Sequence, residues 1–286
     1  MSSALIRHFC CLAPSGALAM LMLAQFTACG AKTPAASVVP ASKESARPVH
    51  WGYESSEGSP DKWGTLSPAY AACGNGKSQS PIDLVGGSSE GAPSLIFDYG
   101  KTGLKIAHNA HVIDLVDNGH TLQVTVDEGS TLITQRDEYK LVQFHFHTPS
   151  EHLVDGRSYP MEAHFVHQSA SGAFAVVSVL FEEGAANANL EQLIAHFPAS
   201  KGEMRHAPEV VLELAAHLPA DRSVYQYLGS FTTPPCTEDV EWSVMRQPLM
   251  ASREQLAAFA ARLAPNNRPV QPLNGRRLGL GQITPK

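Results

Sequence analysis

The segment at residues 139–147 constrains the fold more than any other part of the chain. Aromatic and aliphatic residues recur through it, which is typical of a β-strand. It ends in Gln-Phe-His-Phe-His, which places His145 and His147 two positions apart. Side chains at positions i and i+2 of a strand point to the same face of a sheet. The two imidazoles are therefore expected to lie side by side, as two ligands of one metal ion would.

A third imidazole follows in a second strand-like segment, residues 161–167, after a loop whose turn is Asp155-Gly156. If the two segments pair as a hairpin, His164 can lie opposite the first two histidines. Three imidazoles with an open fourth position are typical of a catalytic zinc site, whereas structural sites usually have four protein ligands. Glu162 shares the face of His164 by the two-residue period and could buttress that ring, whereas His167 falls on the opposite face.

Much of the remaining chain favours antiparallel β structure. Turn signals such as Asp117-Asn118-Gly119 and Asp127-Glu128-Gly129 separate short β-type segments. Twenty-two Gly and 20 Pro also favour many turns over long helices. The predicted strands are residues 94–99, 104–107, 112–116, 121–126, 131–135, 139–147, 161–168, 173–181 and 240–244.

Three short helices are predicted by other features. Apolar residues recur at helical spacing in residues 189–197, and residues 208–217 are interpreted as a second helix. A third helix is expected to begin after Ser252, because Gln255 stands three residues later and completes a capping box. Pro265 is expected to end it.

The first residues are predicted to be an export signal. Arg7 precedes an apolar run at residues 17–26 that is too short to span a bilayer comfortably. Thr27-Ala28-Cys29-Gly30 resembles a bacterial lipobox, in which Cys29 would carry a lipid; a plain secreted protein is the alternative. We therefore expect a signal at residues 1–29, a flexible tether at 30–47 and a folded domain at 48–286. The domain would lie in the periplasm or be lipid-anchored to the cell envelope.

Cysteine and charge content narrow the function further. Outside the predicted signal only Cys73 and Cys236 remain, and in an exported chain they most simply form one disulfide, with two free thiols as the alternative. A net charge of −6 argues against nucleic acid, whose binding requires a basic patch. The chain contains no Gly-rich phosphate loop, no HExxH and no GxSxG motif, which disfavours nucleotide enzymes, zincin proteases and α/β-hydrolases.

Several motifs occur in a fixed order over residues 49–271, and together they resemble the α-class carbonic anhydrases of the bacterial, exported type. The motifs are His50-Trp51-Gly52-Tyr53, Gln79-Ser80-Pro81-Ile82-Asp83, Asn118-Gly119-His120-Thr121, Gln143-Phe144-His145-Phe146-His147, Ser150-Glu151-His152, Glu162-Ala163-His164, the segment from Gly229 to Cys236, and Asn267-Arg268-Pro269. The resemblance implies a mainly β (α+β) single domain, built on a large twisted, mostly antiparallel sheet with a few short peripheral helices.

The resemblance also implies an activity, the reversible hydration of CO₂ to bicarbonate and a proton. Zn²⁺ would be held by the three histidines of the two strands, His145, His147 and His164, and a zinc-bound hydroxide would attack CO₂. Thr232 would accept from that hydroxide and donate to Glu151, because an ionised carboxylate can only accept. Such an enzyme is a zinc lyase, a carbonate dehydratase.

Turnover would also require a proton shuttle, for which an imidazole is suited. By resemblance His120 takes this role, and His111 is a rival because the segment from Lys101 to Val116, which contains it, is longer than usual. The resemblance assigns Tyr53 and Gln123 to the water network beside it.

Other residues would support the zinc ligands and the substrate. Gln143 is expected to accept from His145, Glu162 from His164, and a backbone carbonyl near Asn266 from His147. The family pocket corresponds to Val166, Val176, Phe231, Thr233 and Trp242. Phe231 departs from the commoner Leu, so the pocket mouth would differ in shape. By resemblance the Cys73–Cys236 disulfide would hold the loop that carries Thr232.

Two alternatives from other functional classes fit the sequence less well. A catalytically silent carbonic anhydrase-like binding protein would lack a zinc histidine, and all three are present. A zinc-storage lipoprotein would suit a His-rich flexible tract, and none is seen. The predicted partners are CO₂ and bicarbonate, with no nucleic acid, possible membrane attachment through Cys29, and a monomer or homodimer as the assembly.

Overall fold

The structure is a computed structural model of the chain. It describes residues 49–54, 58–90, 94–99, 101–109, 120–263 and 265–286. Contacts divide the chain into Met1–Ser45 and one compact unit, Ala46–Lys286. The predicted export signal, the tether and the predicted strand at 112–116 lie outside the described residues. Within the described ranges, no helix has the length and apolar character needed to cross a membrane.

The described part of the chain contains fourteen strands, four short α-helices and two 3-10 turns. The strands are β1 Asp83–Leu84, β2 Ser94–Asp98, β3 Lys101–Asn109, β4 Thr121–Thr125, β5 Thr131–Ile133, β6 Glu138–His147, β7 Leu153–Val154, β8 Met161–Ser169, β9 Phe174–Glu183, β10 Met204–Glu213, β11 Ser223–Ser230, β12 Glu238–Met245, β13 Leu249–Ala251 and β14 Gly279–Pro285. The helices are α1 Trp63–Leu66, α2 Ala72–Asn75, α3 Ala188–Ala195 and α4 Arg253–Leu263, and the 3-10 turns are Pro68–Tyr70 and Leu214–His217.

Twelve of the strands form one large sheet, and β1 pairs with β7 separately. The order along the sheet is β10-β3-β4-β6-β5-β2-β14-β11-β12-β9-β13, and β8 pairs with both β6 and β9. Its strand pairs are antiparallel except for β9 with β12, β9 with β13 and β2 with β14. The predicted fold class, a mainly β domain on a large, mostly antiparallel sheet, is therefore confirmed.

Strand β6 contains a one-residue bulge. Leu141 is the register partner of His167 in β8, and Gln143 is the partner of Val166, so Val142 is an extra residue on β6. An extra residue reverses which positions of a strand face each side of the sheet. Before the bulge the odd-numbered side chains of β6 therefore face one side of the sheet, and after it they face the other side.

The main hydrophobic core shows the effect of this reversal. Odd-numbered residues of β6 join the core before the bulge, and even-numbered residues join it afterwards. These residues are Tyr139, Leu141, Phe144 and Phe146. After the bulge, the odd-numbered residues of β6 lie on the opposite face of the sheet, and they are Gln143, His145 and His147.

One helix prediction was wrong and another was confirmed. Residues 204–213 form strand β10, and only Leu214–His217 is helical, as a 3-10 turn. Pro208 is tolerated because β10 is at the edge of the sheet and its pairing with β3 shifts register between Ala207 and Val211. In contrast, α4 begins with the predicted capping box. The Ser252 N–H donates to Gln255 Oε1 at 3.1 Å, and the Gln255 N–H donates to Ser252 Oγ at 3.3 Å.

Candidate metal centre

Three imidazoles converge on the face of the sheet opposite the main core. His145 and His164 are direct register partners across β6 and β8, and His147 follows two positions along β6. One ring nitrogen from each lies within 4.8 Å of the others. His147 and His164 are buried and His145 is partly exposed. The hairpin geometry predicted for these strands therefore places the three side chains together.

The second nitrogen of each ring is hydrogen-bonded to a fixed acceptor. His145 Nδ1 lies 2.9 Å from Gln143 Oε1, His147 Nδ1 lies 2.8 Å from the Asn266 carbonyl oxygen, and His164 Nε2 lies 2.8 Å from Glu162 Oε1. Each of these acceptors requires a proton on the nitrogen that it faces. The lone pairs of His145 Nε2, His147 Nε2 and His164 Nδ1 are therefore left to bind a metal.

The donor set fits zinc. His147 Nε2 is buried and has no hydrogen-bond partner among the described residues, which is costly unless a ligand occupies the site. Burial lowers the pKa of His145 well below its ordinary value and lowers the pKa of His147 to about 4. Burial also lowers the pKa of His164. The three rings are therefore neutral at pH 7, as metal coordination requires.

Glu162 lies behind His164 and accepts five hydrogen bonds. Its Oε1 accepts from His164 Nε2, from His152 Nδ1 at 2.6 Å and from the Ser178 hydroxyl. Its Oε2 accepts from the backbone N–H groups of Glu151 and His152 at 2.8 and 2.9 Å. Burial raises the pKa of Glu162, but His152 and His164 outweigh it and hold that pKa well below the usual range. Glu162 is therefore a carboxylate anchor that fixes the orientation of His164.

The same three residues, His152, Glu162 and His164, form a second group close enough to share a metal. However, the contacting atoms of this group are already joined by hydrogen bonds through Glu162. His152 Nε2 also lies 2.7 Å from the Tyr227 hydroxyl, so both its nitrogens are engaged. This group supports the metal centre and is a poor second site.

Glu151 lies beside the metal-binding nitrogens. Its Oε2 is 3.6 Å from His147 Nε2 and 3.9 Å from His164 Nδ1, and its Oε1 accepts from the backbone N–H of Arg268 at 2.8 Å. Burial raises the pKa of Glu151 to about 7, against the lowering effect of hydrogen bonds from Arg268 and the Thr232 hydroxyl. The structure thus brings Glu151 and Thr232 together at the centre, and their catalytic roles stay predictions.

An apolar cavity of about 80 Å³ opens next to the three histidines. Its wall follows from sheet register, because Val166 of β8 faces Val176 of β9, which in turn faces Trp242 of β12. Phe231, Thr232 and Thr233 complete the side formed by the loop after β11. All the predicted pocket residues therefore line one cavity.

His120 also lines that cavity. It is buried, and its ring stacks on Trp51 with centroids 4.1 Å apart and planes 19° apart. Tyr53 also lines the cavity, edge-on to His120 at 5.5 Å. Gln123 is the register partner of His145 on β4 but is not among the cavity-lining residues. The shuttle and water-network roles stay predictions, and His111 lies outside the described residues.

The predicted Cys73–Cys236 disulfide is confirmed, and it spans 163 residues of sequence. Cys236 ends the loop that carries Thr232, and its backbone N–H donates to the Thr233 carbonyl at 2.8 Å. Gly229 at the start of this segment is required by close packing, because a Cβ there would lie 2.1 Å from Ser80 Oγ.

Several residues of the centre were missed by sequence reasoning. Ser178 donates to Glu162, and Arg268 supplies the backbone N–H to Glu151. Phe174 packs edge-on against Phe231, with ring centroids 4.8 Å apart, and lines the cavity. The positions of Ser178 and Phe174 could have been inferred, because strand alternation places both on the same face of β9 as the predicted pocket residue Val176.

Comparison with known proteins agrees with this geometry. The model of the eukaryotic-type carbonic anhydrase family matches residues 57–280. A carbonic anhydrase of Pectobacterium atrosepticum is 41% identical over 229 residues, which cover 80% of this chain and 89% of that protein. The chain belongs to the α-carbonic anhydrase family. The prediction of an enzyme of this family is therefore confirmed.

Other members of the α-carbonic anhydrase family give the same result. A carbonic anhydrase of Klebsiella pneumoniae is 42% identical over 230 residues, which cover 79% of this chain and 89% of that protein. The solved α-carbonic anhydrase of Thermovibrio ammonificans, in complex with the inhibitor sulfanilamide, superimposes with a TM-score of 0.74 at 38% identity. That match covers 82% of this chain and 99% of the other.

Proposed function

We propose that the protein catalyses the reversible hydration of CO₂ to bicarbonate and a proton, with zinc held by His145, His147 and His164. The observation that carries the proposal is the set of three neutral imidazoles, each with its second nitrogen bound to a fixed acceptor. Zinc in such a site lowers the pKa of a coordinated water to about 7 and so supplies a strong nucleophile at neutral pH.

Thr232 and Glu151 orient the attack. In its ionised form the carboxylate of Glu151 can only accept hydrogen bonds, so the Thr232 hydroxyl donates a hydrogen bond to it. The oxygen of Thr232 then faces the centre as an acceptor. It would therefore accept a hydrogen bond from the nucleophile and leave a lone pair of the nucleophile free for CO₂.

The apolar wall supplies the binding site for CO₂. Val166, Val176 and Trp242 are buried and present hydrocarbon surface next to the metal-binding nitrogens. A small, uncharged molecule gains by entering such a surface, whereas water finds few partners there. Phe231 and Thr233 bound the same pocket.

His120 carries the proton released during turnover towards solvent. An imidazole exchanges protons readily near neutral pH, and this one lines the cavity beside Tyr53. We also propose that Gln123 contributes to the polar surroundings of this path, because it is the register partner of His145.

We further propose that the protein is exported, on the basis of the N-terminal signal pattern and the Cys73–Cys236 disulfide. Residues 1–29 would be the signal, residues 30–47 a tether, and residues 48–286 the catalytic domain. A lipid on Cys29, and a monomer or a homodimer as the assembly, stay predictions.

The test is CO₂ hydration by the purified domain, measured by stopped flow before and after zinc removal with a chelator. We expect one zinc per chain, loss of activity with the metal, and recovery when zinc is returned. His145→Ala should abolish both zinc binding and activity, whereas His196→Ala, at the end of α3, is the matched control and should change neither.

Full activity after complete zinc removal would contradict the proposal. So would an inactive protein that holds one zinc per chain, and this second result would favour the catalytically silent binding protein. Since all three predicted zinc ligands are present, the centre favours an active enzyme over the silent binding protein.

A further inference from the structure

Asn266 lies between the metal centre and the proton path. It is almost fully buried, in the segment that follows α4, with 1% of its surface exposed. Its backbone carbonyl accepts from His147 Nδ1 at 2.8 Å, and its backbone N–H donates to the Thr148 carbonyl at 3.2 Å. The main chain of Asn266 is therefore fixed against the end of β6, independently of its side chain.

The side-chain amide of Asn266 makes three more hydrogen bonds. Its Nδ2 donates to the His120 carbonyl at 2.7 Å and to the Phe146 carbonyl at 3.0 Å, and its Oδ1 accepts from the Thr148 N–H at 2.7 Å. Both amide protons are thus used, one on His120 just before β4 and one on Phe146 in β6. An aspartate has no proton to donate at these positions, and a glutamine is one carbon longer.

The two carbonyls that the amide binds, those of His120 and Phe146, belong to different parts of the site. Phe146 stands between the zinc ligands His145 and His147, and its carbonyl also accepts from the Thr121 hydroxyl at 2.7 Å. His120 immediately precedes β4 and is outside the paired residues of that strand. The amide of Asn266 therefore joins the backbone of His120 to the part of β6 that presents the zinc ligands.

We propose that Asn266 is a positioning residue for the proton shuttle, because its side-chain amide holds the backbone of His120 at a fixed place beside the zinc ligands. The proposal rests on the proposed function, in which His120 carries the proton. The bond to the backbone fixes where the side chain starts, and stacking on Trp51 then fixes the ring. Proton transfer depends steeply on such placement.

The two roles of Asn266 can be separated by substitution. The carbonyl that holds His147 belongs to the main chain and survives any change of side chain. Asn266→Asp keeps an acceptor for the Thr148 N–H and replaces the donor by an oxygen that faces two carbonyls. Asn266→Ser shortens the side chain without adding charge. Zinc binding should persist in both variants, while His120 loses its anchor.

The first readout is NMR of the zinc-free protein, which needs no activity. In the wild type, the ring of Trp51 should shift the C–H signals of the stacked His120 ring to high field. In Asn266→Ser and Asn266→Asp we expect this shift to shrink by at least about half. His120→Ala identifies the signals, and Asn187→Ala is the matched control.

Asn187 is suitable as a control because its side chain caps α3 by accepting from the N–H groups of Asn189 and Leu190. Loss of such a cap destabilises a protein by about 1 kcal/mol. Asn187→Ala therefore reports the effect of lower stability alone, and the His120 signals should stay at their wild-type positions.

The second readout is the kinetics of the zinc-loaded protein. The ratio kcat/KM for CO₂ covers the steps up to release of bicarbonate, whereas kcat also includes regeneration of the nucleophile by proton release. In weak buffer we expect kcat of Asn266→Ser to fall at least about fivefold, with kcat/KM changed less than about twofold. Added imidazole, which carries protons directly, should restore kcat.

Two results would overturn the proposal. One is a His120 ring with unchanged NMR signals in both Asn266 variants. The other is a parallel fall of kcat and kcat/KM that imidazole does not restore, which indicates a structural role only. If the wild type showed no CO₂ hydration, the proposed function would fail, while the NMR readout would still decide whether Asn266 positions His120. If Asn266→Asp does not fold, Asn266→Ser gives both readouts.

Discussion

Strand β8 carries two buried histidines, three residues apart, on opposite faces of the sheet. His164 faces the metal centre and His167 faces the main core, where its Nε2 lies 2.6 Å from the Tyr99 hydroxyl and its Nδ1 lies 3.3 Å from the Ala175 carbonyl. Both rings are kept neutral, since burial lowers the pKa of each, that of His167 to about 3. Burial and neutrality are therefore shared by a candidate ligand and a structural histidine.

The difference between them lies in the hydrogen-bond partners. Both nitrogens of His167 are occupied by neutral groups of the core. One nitrogen of His164, Nε2, is held by the carboxylate of Glu162. The other, Nδ1, lies 3.9 Å from Glu151 Oε2 and faces the metal-binding nitrogens of His145 and His147. A buried histidine becomes a candidate ligand when its surroundings satisfy one nitrogen and leave the other for a metal.

The largest expected effect comes from replacing each histidine of β8 by Phe. His164→Phe should lose zinc and reduce CO₂ hydration by at least about 10³-fold, because the metal supplies the nucleophile. His167→Phe should keep activity within about twofold and destabilise the fold by about 1–3 kcal/mol, since it leaves the buried Tyr99 hydroxyl without its partner. Metal analysis, stopped-flow assays and denaturant unfolding measure the three quantities. Equal loss of zinc in both variants would contradict the comparison.

A smaller effect is expected from Glu162→Gln. Glutamine keeps the shape of Glu162 but replaces one carboxylate oxygen by an NH₂ group. That group would face the N–H and O–H donors that bind the carboxylate in the wild type, so His164 would be held less firmly. We expect zinc affinity to fall by about 10–100-fold, measured by competition with a chelator. Glu241→Gln is the matched control, because Glu241 accepts from the Tyr139 hydroxyl away from the metal centre. Unchanged zinc affinity in Glu162→Gln would show that the charge of this carboxylate is unnecessary.

The smallest effect concerns His217, a buried histidine whose ring lies tilted against that of Phe144, with centroids 5.4 Å apart. Burial lowers the pKa of His217 to about 4, although its hydrogen bond to the Glu213 carbonyl acts to raise that pKa. As the pH falls, His217 is therefore protonated in the unfolded chain before it is protonated in the folded protein. His217 therefore stabilises the fold above pH 6.5, and this contribution is lost as the pH falls towards 4. Relative to His217→Leu, the metal-free wild type should lose about 2–3 kcal/mol more between pH 7.5 and 4.5 in urea unfolding. Parallel losses in the wild type, His217→Leu and His217→Phe would contradict this.

Much of the centre was predictable from local pattern. The two-residue period of strands was enough to place His145 beside His147 and to put Glu162 on the face of His164. Pairing of the neighbouring segments as a hairpin then places His164, the third candidate ligand, without knowledge of the whole fold. The shared motifs added Glu151 and Thr232, which no local pattern joins to the histidines.

The remaining contacts depend on long-range folding. Asn266 meets His147 across 119 residues and Arg268 meets Glu151 across 117, so no local periodicity reports either contact. Strand β10 was mistaken for a helix because its pairing with β3 and its irregular register decide its conformation. Tertiary pairing outweighed local propensity there.

The bulge at Val142 has a consequence for which insertions and deletions this chain can tolerate. Removing that one residue would restore simple alternation along β6 and turn His145 and His147 towards the aromatic core. Both histidines would still be present in the sequence, but the candidate metal centre would be lost. In the loop at residues 148–160, adding or removing one residue at the exposed turn Asp155-Gly156 would not reverse the face of any strand residue in this way. The number of residues in β6 is therefore as strictly limited as their identity, whereas the number of residues at that turn can vary more freely.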